Sequence, residues 1–123
     1  MTREQQAALK VAMGFLNHYA ERDIESLMDD MATSKPLFMM GTNDNEVFKS
    51  TRSIRASFKK DFQNMDNIRW GKRRNVHVQA DPFLASVIIE MPISYQSAGK
   101  KIKTLFRYAL TLKKERGKWK ICS

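Results

Sequence analysis

LASVIIEM, residues 84–91, and LFRYALTL, residues 105–112, alternate side-chain type with a period of two. Ala85, Val87, Ile89 and Met91 oppose Leu84, Ser86, Ile88 and Glu90 in the first run. In the second, Phe106, Tyr108, Leu110 and Leu112 oppose Leu105, Arg107, Ala109 and Thr111. Successive side chains of a strand point to opposite sides, so each run predicts a strand with one apolar face. Upstream, the alternation continues through Arg74, Val76, Val78 and Ala80 against Arg73, Asn75, His77 and Gln79. Downstream, Trp119, Lys120 and Ile121 give a short closing strand. QSAGK, 96–100, and ERGK, 115–118, read as the turns, with Gly99 supplying any left-handed position. The second half of the chain is thus expected to be a four-stranded antiparallel meander.

Before these strands the period differs. Ala8, Val11, Ala12, Phe15, Leu16 and Tyr19 recur at spacings of three and four, which predicts a helix over residues 2–19 with one apolar stripe. After a break at Glu21 and Arg22, Asp23 is placed to cap a second helix through DIESLMDDM, 23–31. Thr33, Ser34, Lys35 and Pro36 end it, because proline lacks a donor and restricts its predecessor. LFMMG, 37–41, reads as a short apolar strand, and TNDNE, 42–46, as a polar turn before Val47 and Phe48. A third helix starts near Ser50 or Thr51 and turns Ile54, Phe58 and Phe62 inward. Helices grouped at one end and strands at the other make the class α+β. Apolar Leu84, Ile88 and Leu105 lie on the strand faces turned away from the helices, which predicts burial against a second copy.

At 123 residues, 42% of them hydrophobic, the chain is sized for a single domain over residues 1–123. Cys122 is the one cysteine, which excludes an intrachain disulfide framework and a thiolate metal cluster within one copy. MTREQQAALK leads into no long apolar run, so the expectation is a cytoplasmic protein without a signal peptide or membrane span. The net charge of +9 is unevenly placed: residues 1–68 carry 9 basic and 10 acidic side chains, residues 69–123 carry 13 basic and 3 acidic. Such a field attracts nucleic acid, an anionic ligand or an anionic membrane surface. KRR at 72–74, KKIK at 100–103 and KKERGKWK at 113–120 adjoin turns near Trp70 and Trp119. Basic and aromatic residues interleave in this way on single-stranded nucleic-acid surfaces, but no recognition module accompanies them, and strand-end lysines also guard sheet edges.

ERDIESLMDDMA (21–32), LFMMGTNDNEVFKS (37–50) running into RSIRASFKKDF (52–62), the strand-rich second half and GKWKI (117–121) resemble the SnoaL-like branch of the nuclear transport factor 2-like superfamily. The resemblance implies a cone-shaped roll: three N-terminal helices packed on a curved, mostly antiparallel sheet, with a pocket inside the wide end. It also implies a homodimer through the outer sheet face. The superfamily includes isomerases, cyclases, dehydratases, protein-association modules and transport factors, so an activity has to be argued from the site. In ketosteroid isomerases of this superfamily, a first-helix tyrosine donates to an oxyanion and an aspartate after the second helix transfers the proton. Matching their second-helix start to RDIES places Phe15 at the tyrosine and, approximately, Met39 at the aspartate. Neither side chain can play that part.

Other acid–base candidates are few. His77 shares its strand face with Arg73, Asn75 and Gln79, which suits a surface or interface imidazole, and His18 reads as a helix-surface residue. Glu90 and Arg107 interrupt neighbouring apolar strands. Set opposite each other they form an ion pair on the outer face; turned inward they form a buried acid with an anion-binding arginine. Asp44 and Glu46 lie in a turn that could rim the pocket. Tyr19, Tyr95 and Tyr108 are the hydroxyl donors suited to an apolar cavity, Tyr108 having the clearest inward pattern. No metal-ligand spacing, glycine-rich phosphate loop or nucleophile elbow is present, so neither a metal nor a cofactor is expected. The reading is a protein that binds a small hydrophobic or aromatic molecule among Phe15, Tyr19, Met28, Phe58, Val87, Ile89 and Tyr108. Binding could stand alone or with isomerase-, cyclase- or dehydratase-type acid–base chemistry. The alternative is a non-catalytic, dimeric protein-interaction module of the same fold, and the third is nucleic-acid binding through the basic half.

Overall fold

The Thr2 hydroxyl accepts from the Gln5 N–H at 3.1 Å while the Gln5 side chain accepts from the Thr2 N–H at 2.8 Å, a reciprocal cap that starts α1 (Arg3–Ala20). The structure is a computed structural model that describes residues 1–41 and 46–123. Along α1 the stripe of Ala8, Ala12, Phe15 and Leu16 is buried, as its spacing predicts. The chain then reverses through Arg22, whose φ is +59°. Asp23 caps α2 (Ile24–Asp30), accepting from the Ser26 N–H at 3.1 Å and its hydroxyl at 2.7 Å. Met31 is already extended, earlier than the spacing predicts, because its backbone forms a parallel bridge with Ile121. The Ala32 N–H then donates to the Ile121 carbonyl at 2.8 Å.

β1 (Met39–Met40) and β2 (Val47–Phe48) pair antiparallel, so the apolar strand read from LFMMG is one arm of a small hairpin. The predicted turn at 42–46 falls mostly outside the described residues, and Asp44 with it. Ser50 and Ser53 cap each other at the start of α3 (Thr51–Asn64), which buries Ile54, Phe58 and Phe62.

The main sheet comprises β3 (Asp66–Trp70), β4 (Asn75–Ala80), β5 (Leu84–Ser97), β6 (Lys100–Glu115) and β7 (Lys118–Ile121), all paired antiparallel. Its order is β3-β5-β6-β7, and β4 also pairs with β5. The four-stranded meander is present as β4 to β7, and the structure adds β3. DNIRW did not read as a strand because a bulge breaks its alternation: Asn67 has φ of +51° and the register shifts between Asp66 and Arg69. Gly71 separates β3 from β4, and its N–H donates to the carbonyl of Pro92 at 2.8 Å. A Cβ at Gly71 would lie 3.1 Å from the Pro92 ring, so a small residue suits this crossing.

β5 and β6 run beyond the predicted stretches, pairing from Leu84↔Lys113 to Ser97↔Lys100. The turns shrink accordingly to two residues each, Ala98–Gly99 and Arg116–Gly117, all four with positive φ, which matches the twist of the flanking strands. Glu115, at the end of β6, accepts from the Ser34 N–H at 2.8 Å, the Thr33 N–H at 3.0 Å and both of their hydroxyls, tying the segment after α2 to the sheet.

The three helices pack on the inner face of this curled sheet to form a half-barrel, and Ala85, Val87, Ile89, Met91, Ile93, Leu110 and Leu112 are buried beneath them. On the outer face Leu84 and Ile88 remain 53% and 44% exposed, while Leu105 is half-buried. Among the described residues no helix is long and apolar enough to cross a membrane.

Candidate functional site

Tyr19 stands in the last turn of α1 and Asp61 in the last turn of α3, and the Tyr19 hydroxyl donates to Asp61 Oδ2 at 2.8 Å. The same hydroxyl lies 3.5 Å from the sulfur of Met65. Aromatic rings pack against Tyr19. Tyr19 meets Phe62 at 5.2 Å and Phe58 at 6.1 Å between ring centroids, and Phe15 meets Phe58 edge-on at 5.9 Å. A second aromatic cluster comes from the sheet, where Tyr108 packs edge-on against Trp70 at 5.6 Å and Phe106 at 5.9 Å. The Trp70 indole N–H donates to the Leu16 carbonyl at 2.7 Å and so pins β3 against α1.

Burial governs the electrostatics of this region. It pushes the Asp61 carboxyl above its ordinary value, and the charge of Glu46 adds to the rise, while the Tyr19 hydrogen bond and Lys60 oppose it. Burial, followed by the charge and hydrogen bond of Asp61, drives the Tyr19 phenol far upward. Tyr108 is raised by burial first and by Asp61 second. Both phenols are therefore fixed as proton donors at neutral pH, facing a carboxylate that holds its proton more readily than an exposed aspartate does.

All seven residues expected to line a pocket belong to one hydrophobic cluster. Phe15, Phe58, Val87 and Ile89 are buried in it, and Tyr19, Met28 and Tyr108 are partly buried against it. Sequence reasoning missed Asp61. The third helix is read only for its apolar stripe of Ile54, Phe58 and Phe62, although Asp61 lies three residues beyond Phe58 and therefore beside that stripe.

The other acid–base candidates lie elsewhere. Glu90 and Arg107 are opposite in register and bond at 2.6 Å, with Asn75 Nδ2 donating to the same carboxylate at 3.0 Å. They occupy the outer face, alternating with buried Ile89 and Met91. His77 is exposed in the neighbouring row, opposite Ile88. His18 Nδ1 is 2.7 Å from Asp30 Oδ2 and joins α1 to α2. Among the described residues no three His, Cys, Asp or Glu side chains converge as metal ligands would.

A surface groove of about 520 Å³ is lined by Ala20, Arg22, Asp66, Asn67, Ile68, Arg69 and Gln96, and neither Asp61 nor any of the seven residues expected to line a pocket borders it.

The SnoaL-like domain matches residues 9–123 of the chain. Among solved structures, a proposed dehydratase of the nuclear transport factor 2-like family from Streptomyces avermitilis superposes with a TM-score of 0.81 at 15% identity, covering 96% of this chain and 90% of that one. A ketosteroid isomerase-like protein from Erwinia carotovora atroseptica gives 0.83 at 14% identity over 99% and 93%. A proposed scytalone dehydratase from Novosphingobium aromaticivorans gives 0.78 at 12% identity over 95% and 78%. At these identities the likeness is one of fold. No curated protein matches the sequence.

Proposed function

The chain belongs to the SnoaL-like domain family, and from that premise we propose that it holds a small hydrophobic or aromatic molecule against the inner face of its sheet and moves a proton on it. The observation that carries this reading is the Tyr19–Asp61 pair, a phenol and a desolvated carboxylate bonded at 2.8 Å, with aromatic rings packed against the phenol. Phe15, Met28, Phe58, Val87 and Ile89 are the apolar residues proposed to meet the ligand, and Tyr19 and Tyr108 the hydroxyls; all seven belong to one hydrophobic cluster. Asp61 takes a proton from a carbon or hydroxyl next to a ligand carbonyl, and Tyr108 donates to the oxygen on which negative charge develops. This is isomerase-, cyclase- or dehydratase-type chemistry without the positions that ketosteroid isomerases resembling this chain use, where Phe15 and Met39 stand.

A panel of aromatic ketones and enols, screened by calorimetry and then by exchange of the ligand's acidic hydrogen into deuterated water, tests the proposal. Tyr108→Phe is expected to weaken binding by about 0.5–1.5 kcal/mol, the value of one hydrogen bond. Asp61→Asn should retain binding and lose exchange. Exchange that survives Asp61→Asn would refute the assignment of the base.

The exposed Leu84 and Ile88 support a twofold dimer through the outer sheet face. The single cysteine supports a cytoplasmic location.

A further inference from the structure

Arg69, Ser94 and Lys103 occupy one row across β3, β5 and β6, while Gln96 and Lys101 occupy the row two residues nearer the hairpin tip. Strand neighbours lie about 4.8 Å apart and alternate residues about 6.8 Å apart, so the three cations surround the Ser94 hydroxyl on the outer face. Arg69, Lys101 and Lys103 are all exposed and Ser94 is half-buried. A groove of about 380 Å³ lies beside them, walled by Asn67, Arg69, Ser94, Tyr95, Gln96 and Lys101.

Six of the chain's lysines and arginines are paired with an acid among the described residues. Arg22 is bonded to Asp66 at 3.1 Å, Arg107 to Glu90 at 2.6 Å, Lys114 to Glu4 at 2.5 Å and Arg55 to Glu25. Arg69, Lys101 and Lys103 have no acidic partner among the described residues. The acid of this region, Asp66, is engaged by Arg22, so it leaves the local positive potential standing. Asn67 is held in place by donating from Nδ2 to Gln96 Oε1 at 2.9 Å, which sets an ordered amide wall beside the cations.

We propose that this triangle binds the phosphate group of a small phosphorylated molecule, with the rest of that molecule lying in the 380 Å³ groove. A carboxylate is satisfied by one guanidinium, whereas a tetrahedral dianion has enough acceptors for Arg69, Lys101, Lys103 and the Ser94 hydroxyl together. The site stands apart from the apolar outer patch, since Ser94 and Ile88 are separated by about 20 Å along β5.

Titrating the isotopically labelled full chain with inorganic phosphate, at ionic strength held constant with chloride, tests the proposal by nuclear magnetic resonance. The amides of Arg69, Ser94, Lys101 and Lys103 are expected to shift together and saturate. The double variant Arg69→Gln with Lys103→Gln should weaken the affinity by about tenfold. Lys72→Gln with Arg73→Gln removes equal charge from the same half and should leave it unchanged. Shifts that rise without saturating, or that weaken equally in both variants, reflect an ion atmosphere and overturn the proposal. A short oligothymidylate separates the sources of phosphate: binding no tighter than inorganic phosphate with the same footprint supports a small ligand. Much tighter binding, with a footprint extending over Lys72, Arg73 and Arg74, assigns the face to a nucleic-acid strand and overturns the proposal.

Discussion

Asp61 is half-buried beside Tyr19, and burial together with the charge of Glu46 holds its carboxyl above the ordinary 3.8. The folded state therefore binds more protons than the unfolded chain as pH rises from 3.8, and the stability contributed by this residue declines across that range. Asp61→Asn removes the dependence while keeping an acceptor for Tyr19. Calorimetric melting should show the variant gaining on the wild type between acid and neutral pH. Glu115 has the opposite sign. Partial burial alone would raise its carboxyl, but the hydrogen bonds from Ser34 and Thr33 outweigh this and hold it at about 2, against an ordinary 4.5. Its contribution is complete above 4.5 and is lost as pH falls toward 2. Glu115→Gln should cost about 1–2 kcal/mol at neutral pH in a denaturant titration, and the difference should close in acid.

At the level of elements, the tight turns are the points most sensitive to single changes. Gly99 has φ of +77° and open space where a Cβ would stand, so Gly99→Ala tests backbone conformation alone. It is expected to cost about 1 kcal/mol by equilibrium unfolding, with no change in pairing register. The strands flanking this turn were only half legible. Ala85 to Met91 alternate cleanly because one face meets the helices and the other meets solvent, but the alternation is read only to Met91 and from Leu105, with QSAGK as the turn, which leaves Pro92 and KKIK outside the strands. Both lie within the ladder: Pro92 faces Leu105, and Gly71 donates to its carbonyl from the other side. β3 was hidden by its bulge at Asn67, which destroys the period that identifies a strand.

Across the whole molecule, the cone was readable because helix and strand periods segregate in the chain, while the pair at the centre of the site was not. Tyr19 and Asp61 lie at the ends of different helices, and their meeting depends on how α1 and α3 converge over the sheet, which no local spacing encodes. Val87, Ile89 and Tyr108 were legible as inward residues because each obeys its own strand's alternation. Sedimentation at micromolar concentration is expected to give a dimer, and Ile88→Lys should shift it toward monomer without lowering the melting temperature, since Ile88 is 44% exposed. The β5–β6 ribbon also has a kinetic meaning. Its pairs close in sequence from Ala98–Gly99 outward, each rung shortening the loop for the next, whereas α1 must return across most of the chain to dock. Folding should therefore begin as a zipper at this hairpin, with amides of Val87 to Ile93 gaining protection from hydrogen exchange before those of Phe15 and Leu16, and the helices arriving on a surface already laid down.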